Sequence, residues 1–189
     1  MTTSTSTGSP PAEIRYSAFL RGINVGGHRQ IKMADLARMF SNMGFGDVRT
    51  VIASGNVVFR SGESDVAKLT RGIEGGLEAE LGYPVDVMLR MVDWLRELVE
   101  RNPFKAVEGE EGHRYVSFMQ SIGNDVPALP YDAAEEGFRI LAVHGNDVFS
   151  LSSKLPNGRH GHPGKYIAKH FGNVSTMRNW NTVIKIAGM

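Results

Sequence analysis

Apolar and polar positions alternate along this chain in short, bounded blocks, and the period of each block predicts an element. "IRYSAFLRGI" (14–23) is rich in aromatic and aliphatic residues and reads as a strand. After a glycine-rich turn, Met33, Leu36, Phe40 and Met43 recur at helical spacing, and Gly44 supplies a C-terminal stop. "DVRTVIASGNVVFRS" follows as two β-rich runs around a turn at Ser54-Gly55-Asn56, which predicts a hairpin. Val66, Leu69, Ile73, Leu77 and Leu81 form a second helical stripe. Gly72, Gly75 and Gly76 weaken that helix by roughly 1 kcal/mol each relative to alanine, so packing must hold it. In "YPVDVMLRM", Val85, Val87 and Leu89 alternate with Asp86, Met88 and Arg90, the pattern of a half-buried strand.

This order is β-α-β-β-α-β over residues 14–90, the arrangement of ferredoxin-like units. Residues 91–112 follow as a linking helix, "VDWLRELVER", stopped by Asn102-Pro103, and a loop. The remainder, 113–189, predicts a strand at 113–120, a short helix near 131–136, strands at 137–143 and 147–152, and a helix from 163 to 171. An amphipathic C-terminal helix ends it. The expected fold class is therefore α+β: a ferredoxin-like β-α-β-β-α-β first half packed against a second, less regular α+β half. The second half resembles a degenerate copy of the first in the order of elements only. Residues 1–13, "MTTSTSTGSPPAE", lack the basic and apolar regions of a signal peptide and are expected to form a disordered tail.

Composition narrows the classes. A chain of 189 residues that is 41% hydrophobic can bury a sizeable core. Cysteine is absent, which excludes disulfides, thiolate zinc sites and cysteine nucleophiles, and a reducing cytoplasm is the expected compartment. Uninterrupted apolar runs reach only about five residues against the ~20 of a membrane span, so no membrane partner is expected. Net charge is +1, but its layout is uneven: residues 150–189 carry six cations and no acid. Such asymmetry bears on partners rather than on fold.

Two stretches concentrate candidate chemistry. "RGINVGGHRQIKM" (21–33) runs from a strand through glycines into a helix, which gathers backbone N–H groups at one spot, as anion sites do. Arg21 and Lys32 would add charge there, Asn24 and His28 hydrogen-bonding heads, and Gly26 and Gly27 directed backbone donors. The alternative is that the two glycines only serve a tight turn. The run matches neither a P-loop nor a dinucleotide fingerprint. In "VSTMRNWNTVIKIAGM", Ser175 or Thr176 is placed to cap a helix whose stripe of Trp180, Val183, Ile184 and Ala187 faces the core. Arg178, Asn181, Thr182 and Lys185 share the same spacing on another stripe. Ser54 and Asn56, at the hairpin tip, complete the set. His160 and His162 lack a third ligand, so no metal site is expected, and no sequence signature points to a cofactor. An RNA-recognition strand is excluded because "GNVVFRS" offers Phe59 as its one aromatic residue.

Taken together, "FLRGINVGGHRQIKMADL", "GFGDVRTVIASGNVVF", "RNPF" and "RNWNTVIKI" resemble the bacterial family catalogued as domain of unknown function 1697, collinearly over residues 14 to 187. The resemblance implies a compact bacterial α+β protein with ferredoxin-like parts, and it carries no established activity. Its motif positions here are Arg21, Gly22, Asn24, Gly26, Gly27, Ser54, Gly55, Asn56, Arg178, Asn179, Trp180 and Asn181. Val51 stands where the family often has tyrosine, so no phenol role transfers.

The leading functional expectation is binding of a phosphorylated or otherwise anionic ligand, either a small molecule or nucleic-acid phosphate. Arg21, Lys32, Arg178 and Lys185 would supply charge, and Asn24, Asn56 and Asn181 orientation. The alternatives are an enzyme acting on a small anionic substrate, with His28 as acid–base beside Ser54 or Asn56, and a structural or interaction protein without ligand.

Overall fold

Alternation within the strands determines the layering. In the computed structural model, which describes residues 13–25, 30–123 and 126–189, β1 (Ile14–Leu20), α1 (Met33–Asn42), β2 (Gly46–Thr50), β3 (Asn56–Ser61), α2 (Val66–Leu81) and β4 (Val87–Met91) follow in the expected order. Their strands form an antiparallel sheet ordered β2-β3-β1-β4. Tyr16, Ala18 and Leu20 of β1, Val57 and Phe59 of β3 and Val87 and Leu89 of β4 point to one face. There they join Leu36 and Phe40 of α1 and Leu69, Ile73 and Leu77 of α2. The opposite face presents Phe19, Val58 and Met88, and it is covered as well. Met88 is therefore core, not the solvent side of a half-buried strand. Burial on both faces is why these strands read as nearly unbroken apolar runs.

The covering layer comes from the rest of the chain. α3 (Val92–Arg101) leads into β5 (His113–Met119), β6 (Tyr131–Ala133), β7 (Phe138–His144), β8 (Asp147–Ser152), α4 (Gly164–His170), β9 (Ser175–Asn179) and α5 (Trp180–Ala187). These strands make a second antiparallel sheet ordered β6-β7-β8-β5-β9, so the protein is α+β. A central core unites Phe19, Val58 and Met88 with Val116, Phe118, Phe149 and Leu151 of the second sheet, Leu95 and Leu98 of α3, and Trp180, Val183 and Ile186 of α5. Phe19 and Phe118 stack at 3.9 Å between centroids, a geometry worth about 0.5–1.5 kcal/mol beyond its buried area. The 92–101 helix is thus a core element rather than a mere link.

Three expectations need correction. Ile184 does not face the core: it is exposed on α5, and Ile186 takes its place there. Residues 131–136 form a strand and a single 3₁₀ turn, not a helix: Tyr131–Ala133 pairs with Phe138–Ile140, and Gly137, at φ 73°, turns the chain between them. Ser175 and Thr176 do not cap a helix. They open β9, whose pairing with β5 satisfies the backbone, and Asn179 caps α5 by accepting a hydrogen bond from the Asn181 N–H at 2.9 Å.

The kinship of the two halves extends from element order to register. Phe19 faces Asn56 on one side and Met88 on the other, while Phe118 faces Asp147 and Thr176. The N–H of Leu20 donates to the Gly55 carbonyl, and that of Met119 to the Asn146 carbonyl. Arg90 lies beside Ser17, and Arg178 beside Val116. α3 springs from Met91 and α5 from Asn179 with nearly identical backbone angles (φ −63°, ψ 140° and φ −63°, ψ 141°). The second half therefore repeats the plan of the first. In element order α4 takes the place of α2, and β6 with its turn the place of α1, though β6 joins the edge of the sheet instead of packing on its face.

Candidate functional site

Strand alternation in β9 buries Thr176 and Arg178. Arg178 is 8% exposed, and its guanidinium donates from Nη2 to the carbonyls of Leu20 (2.7 Å) and Ser54 (2.8 Å), from Nη1 to Thr176 Oγ1 (2.6 Å) and the Met177 carbonyl (2.9 Å), and from Nε to Asn56 Oδ1. Its plane lies over the Phe19 ring. No carboxylate pairs with it among the described residues, and burial pushes it down to about 10, so it stays charged at neutral pH. Asn56, fully buried, is itself held because Nδ2 donates to the Val51 carbonyl and to Ser54 Oγ. Arg178, Asn56 and Ser54 are therefore brought together, with their polar atoms turned toward one another. Arg178 does not share a helical face with Asn181, Thr182 and Lys185: it is in a strand facing inward, while Asn181 and Lys185 are exposed on α5.

The glycine-loop candidates sit at the neighbouring corner. Asn24, at φ 57°, uses its side chain like a peptide group: Oδ1 accepts from the Ile31 N–H, and Nδ2 donates to the carbonyls of Ile31 and Ala53. This ties the loop to the hairpin tip. Arg21 is half exposed and ion-paired with Asp86 at 2.9 Å, whereas Lys32 is exposed beside a shallow hollow that Asn24, Gln30 and Ile31 also line. Gly26, Gly27 and His28 lie outside the described residues. His160 packs against His113, and His162 Nδ1 accepts from the Gly164 N–H. Among the described residues, no three metal-ligating side chains converge.

A second arginine clamp, equivalent to the first by register, borders a candidate site that sequence reasoning missed. Arg90 of β4 donates from Nε and Nη2 to Asp147 Oδ1 (2.8 and 2.6 Å) and from Nη2 to the carbonyls of Met119 and Asn146. Asp147 is fully buried, and its Oδ2 accepts from Trp94 Nε1 at 3.0 Å. Alongside Arg90 opens a cleft of about 430 Å³ between α2, β4 and the second sheet, with Thr70, Arg71, Glu74, Gln120 and Asn146 as its polar lining. That size lies within the range of small-ligand sites. Glu74 is fixed by one oxygen: Oε1 accepts from the Val87 N–H and from Gln120 Nε2, both at 2.9 Å. Among the described residues Oε2 accepts no hydrogen bond, and neither Glu74 nor Arg71 forms an ion pair. Burial, with a smaller push from Asp86, raises the Glu74 carboxyl above the usual carboxylate range. The one visible signal was a lone glutamate among the glycines of "RGIEGG". Its partner Gln120 comes from the other sheet, so no local pattern could reveal the pairing.

A family described as "Protein of unknown function (DUF1697)" matches residues 14–149. The chain belongs to the DUF1697 family. The match takes in the first sheet, α3 and most of the second sheet, and it ends before β9 and Arg178. Among solved structures, the chain resembles the conserved bacterial protein SP0830 from Streptococcus pneumoniae, with a TM-score of 0.63 and 21% sequence identity, over 94% of this chain and 98% of that one. At that identity the likeness concerns the fold. No curated protein matches the chain. Among the described residues, no helix of this DUF1697 protein is long and apolar enough to cross a membrane.

Proposed function

We propose that this DUF1697 protein binds a small polar molecule in the cleft between α2 and the second sheet. The observation that carries the reading is Glu74: a carboxyl positioned through one oxygen, with the other unengaged, lining a cleft of ligand size. A half-buried carboxylate without a cation is unfavourable in the free protein and is relieved by a ligand that donates to it. Arg71, unpaired in the same lining, supports an anionic group on that ligand. In this reading the anionic ligand expected from sequence binds at this cleft, and Asn24 serves to tie Ile31 to Ala53.

The Arg178 motif belongs to the fold in this reading. All of its donor atoms are directed to protein oxygens, which leaves the buried guanidinium no hydrogen left to offer an anion.

A thermal-shift screen tests the proposal, run with phosphate, nucleotides, sugar phosphates, organic acids and amino acids on the native chain and on Ala67→Trp. Ala67 is an exposed residue of the cleft wall, so the indole fills the cleft without touching the core. A ligand at 100 times its Kd adds about 2.7 kcal/mol, several degrees for a chain of this size. Stabilisation by a panel member that Ala67→Trp abolishes is the expected result. No stabilising compound, or one indifferent to Ala67→Trp, would sink the cleft as a binding site.

A further inference from the structure

Arg71 and Glu74 are three residues apart on α2, a spacing that puts Cβ atoms about 5–6 Å apart and normally lets opposite charges pair. Both line the cleft, yet they do not pair with each other. Glu74 is held away by the Val87 N–H and Gln120, which leaves its second oxygen free. Two opposite, unpaired charges at that separation match a ligand carrying a cation and an anion one or two bonds apart. The cleft also does not end at Arg90. It continues into a groove of about 350 Å³ that shares Val66, Leu89, Arg90 and Asn146 as walls and adds Met91, Trp94 and Gly145. Val66 and Met91 are among the few large apolar side chains of the described residues left exposed, at 36% and 40%. Trp94 is fixed from both sides, by its hydrogen bond to Asp147 and by Arg101 over its ring. A polar compartment with two opposite, unpaired charges thus opens directly onto an apolar one with a rigid aromatic wall.

Building on the cleft reading above, we infer that the ligand is a free α-amino acid with an apolar side chain. Its ammonium binds Glu74, its carboxylate binds Arg71, and its side chain lies along Val66, Met91 and Trp94. Arg90 is the weaker rival for the carboxylate, because Asp147 neutralises it and all but one Nη1 hydrogen is given to Asp147 and to the Leu89, Met119 and Asn146 carbonyls. Asn146 and Gln120, in the same lining, supply neutral hydrogen-bonding groups.

Isothermal titration of the full chain with L-phenylalanine and L-leucine tests this, with N-acetyl-L-phenylalanine, L-phenylalaninamide and the dipeptide Phe-Gly as further arms. The amino acids are expected to bind. The N-acetyl and amide derivatives should bind at least tenfold more weakly, as loss of one charge-assisted contact implies. Glu74→Gln, which keeps the acceptor for Val87 and Gln120, and Arg71→Met, on an exposed position, should each weaken L-phenylalanine by about tenfold or more. Trp94→Phe should remove the accompanying change in tryptophan fluorescence. Preferential binding of Phe-Gly would replace the free amino acid by a peptide N-terminus and overturn the inference as stated. So would equal binding of the N-acetyl derivative, or indifference to Glu74→Gln. If no amino acid binds while another panel compound is lost in Ala67→Trp, the ligand class fails and the cleft stands. If amino acids bind Ala67→Trp undiminished, both fall.

Discussion

Replacing Arg178 by methionine separates a residue that holds the fold from one that holds a ligand. Methionine keeps most of the aliphatic stem over Phe19 and removes the charged head. Of the oxygens that lose a donor, Leu20 O retains a hydrogen bond from Thr176 Oγ1 and Gly55 O retains the Leu20 N–H, but Asn56 Oδ1 and Ser54 O have no other donor among the described residues. Stranding a buried acceptor costs about 1–3 kcal/mol; Asn56 Oδ1 bears that in full and the part-buried Ser54 and Met177 carbonyls a fraction each, roughly 2–6 kcal/mol at most together. No longer burying a cation that lacks a counter-charge offsets part of this. A net loss of about 2–4 kcal/mol is expected, which lowers Tm by roughly 5–15 °C in a chain of this length. Urea denaturation of Arg178→Met, Asn56→Ala and the double variant gives the coupling directly. Because Asn56 Oδ1 is stranded only while Asn56 is present, the double variant should be less destabilised than the sum, by about 1–3 kcal/mol. Additivity within about 0.5 kcal/mol, or a loss below about 1 kcal/mol for Arg178→Met, would refute the clamp. Ligand stabilisation at the α2 cleft should persist in Arg178→Met wherever the fold does.

The Glu74 carboxyl is raised in the folded state by burial first and by Asp86 second. Its neutral form is thus favoured on folding, and the contribution is fully present below the unfolded value of about 4.3 and lost as pH rises through the higher folded value. Relative to the native chain, Glu74→Gln should therefore gain stability between about pH 4 and neutrality; urea midpoints with a constant or opposite difference would contradict this. Gly72 and Gly75 lie in α2 with open space where a Cβ would stand, so Gly72→Ala and Gly75→Ala should each stabilise by about 0.8–1 kcal/mol, read as an increase in urea midpoint at unchanged m. Asn24→Ala removes the acceptor for the Ile31 N–H, and hydrogen exchange at that amide should quicken at least tenfold while exchange in α2 is unchanged. Asp147→Asn faces one donor with another, at Arg90 or at Trp94, and should cost about 3–5 kcal/mol by the same denaturation assay.

The first sheet was legible because its signals are local. β1, α1, the hairpin around Ser54–Asn56, α2 and β4 each carry their own period and stop. β9 was not, because "STMRN" is too short to show alternation and gains strand structure from β5, about sixty residues away in sequence. Once β9 is a strand, Arg178 turns inward and gives its donors to protein oxygens, away from the α5 face on which its spacing had set it. The candidate cleft was illegible for a related reason: Glu74 was visible, but Gln120, Asn146 and Asp147 reach it and Arg90 from the other sheet. The repeat between the halves was equally hidden. It lies in register, with Phe19 and Phe118, Gly55 and Asn146, Arg90 and Arg178 in matching places, and the side chains around those positions have diverged.

That divergence is instructive at Asn56 and Asp147, which hold the same place in the two halves and each accept from an arginine of the opposite half. On charge alone a carboxylate is the better partner for both guanidinium groups, yet only one has it. The second partner decides. Asn56 must also donate, to the Val51 carbonyl and Ser54 Oγ; a carboxylate could take a hydrogen bond from the hydroxyl but would oppose the carbonyl. Asp147 must also accept, from Trp94 Nε1, which an amide nitrogen cannot do. So the Arg178 clamp closes on itself in the interior, with five donors and no net counter-charge. The Arg90 clamp is neutralised and reaches outward through Trp94 to the groove wall. One shared plan thus carries a clamp turned wholly toward protein oxygens and another that reaches a surface groove, and the proposed cleft lies beside the second.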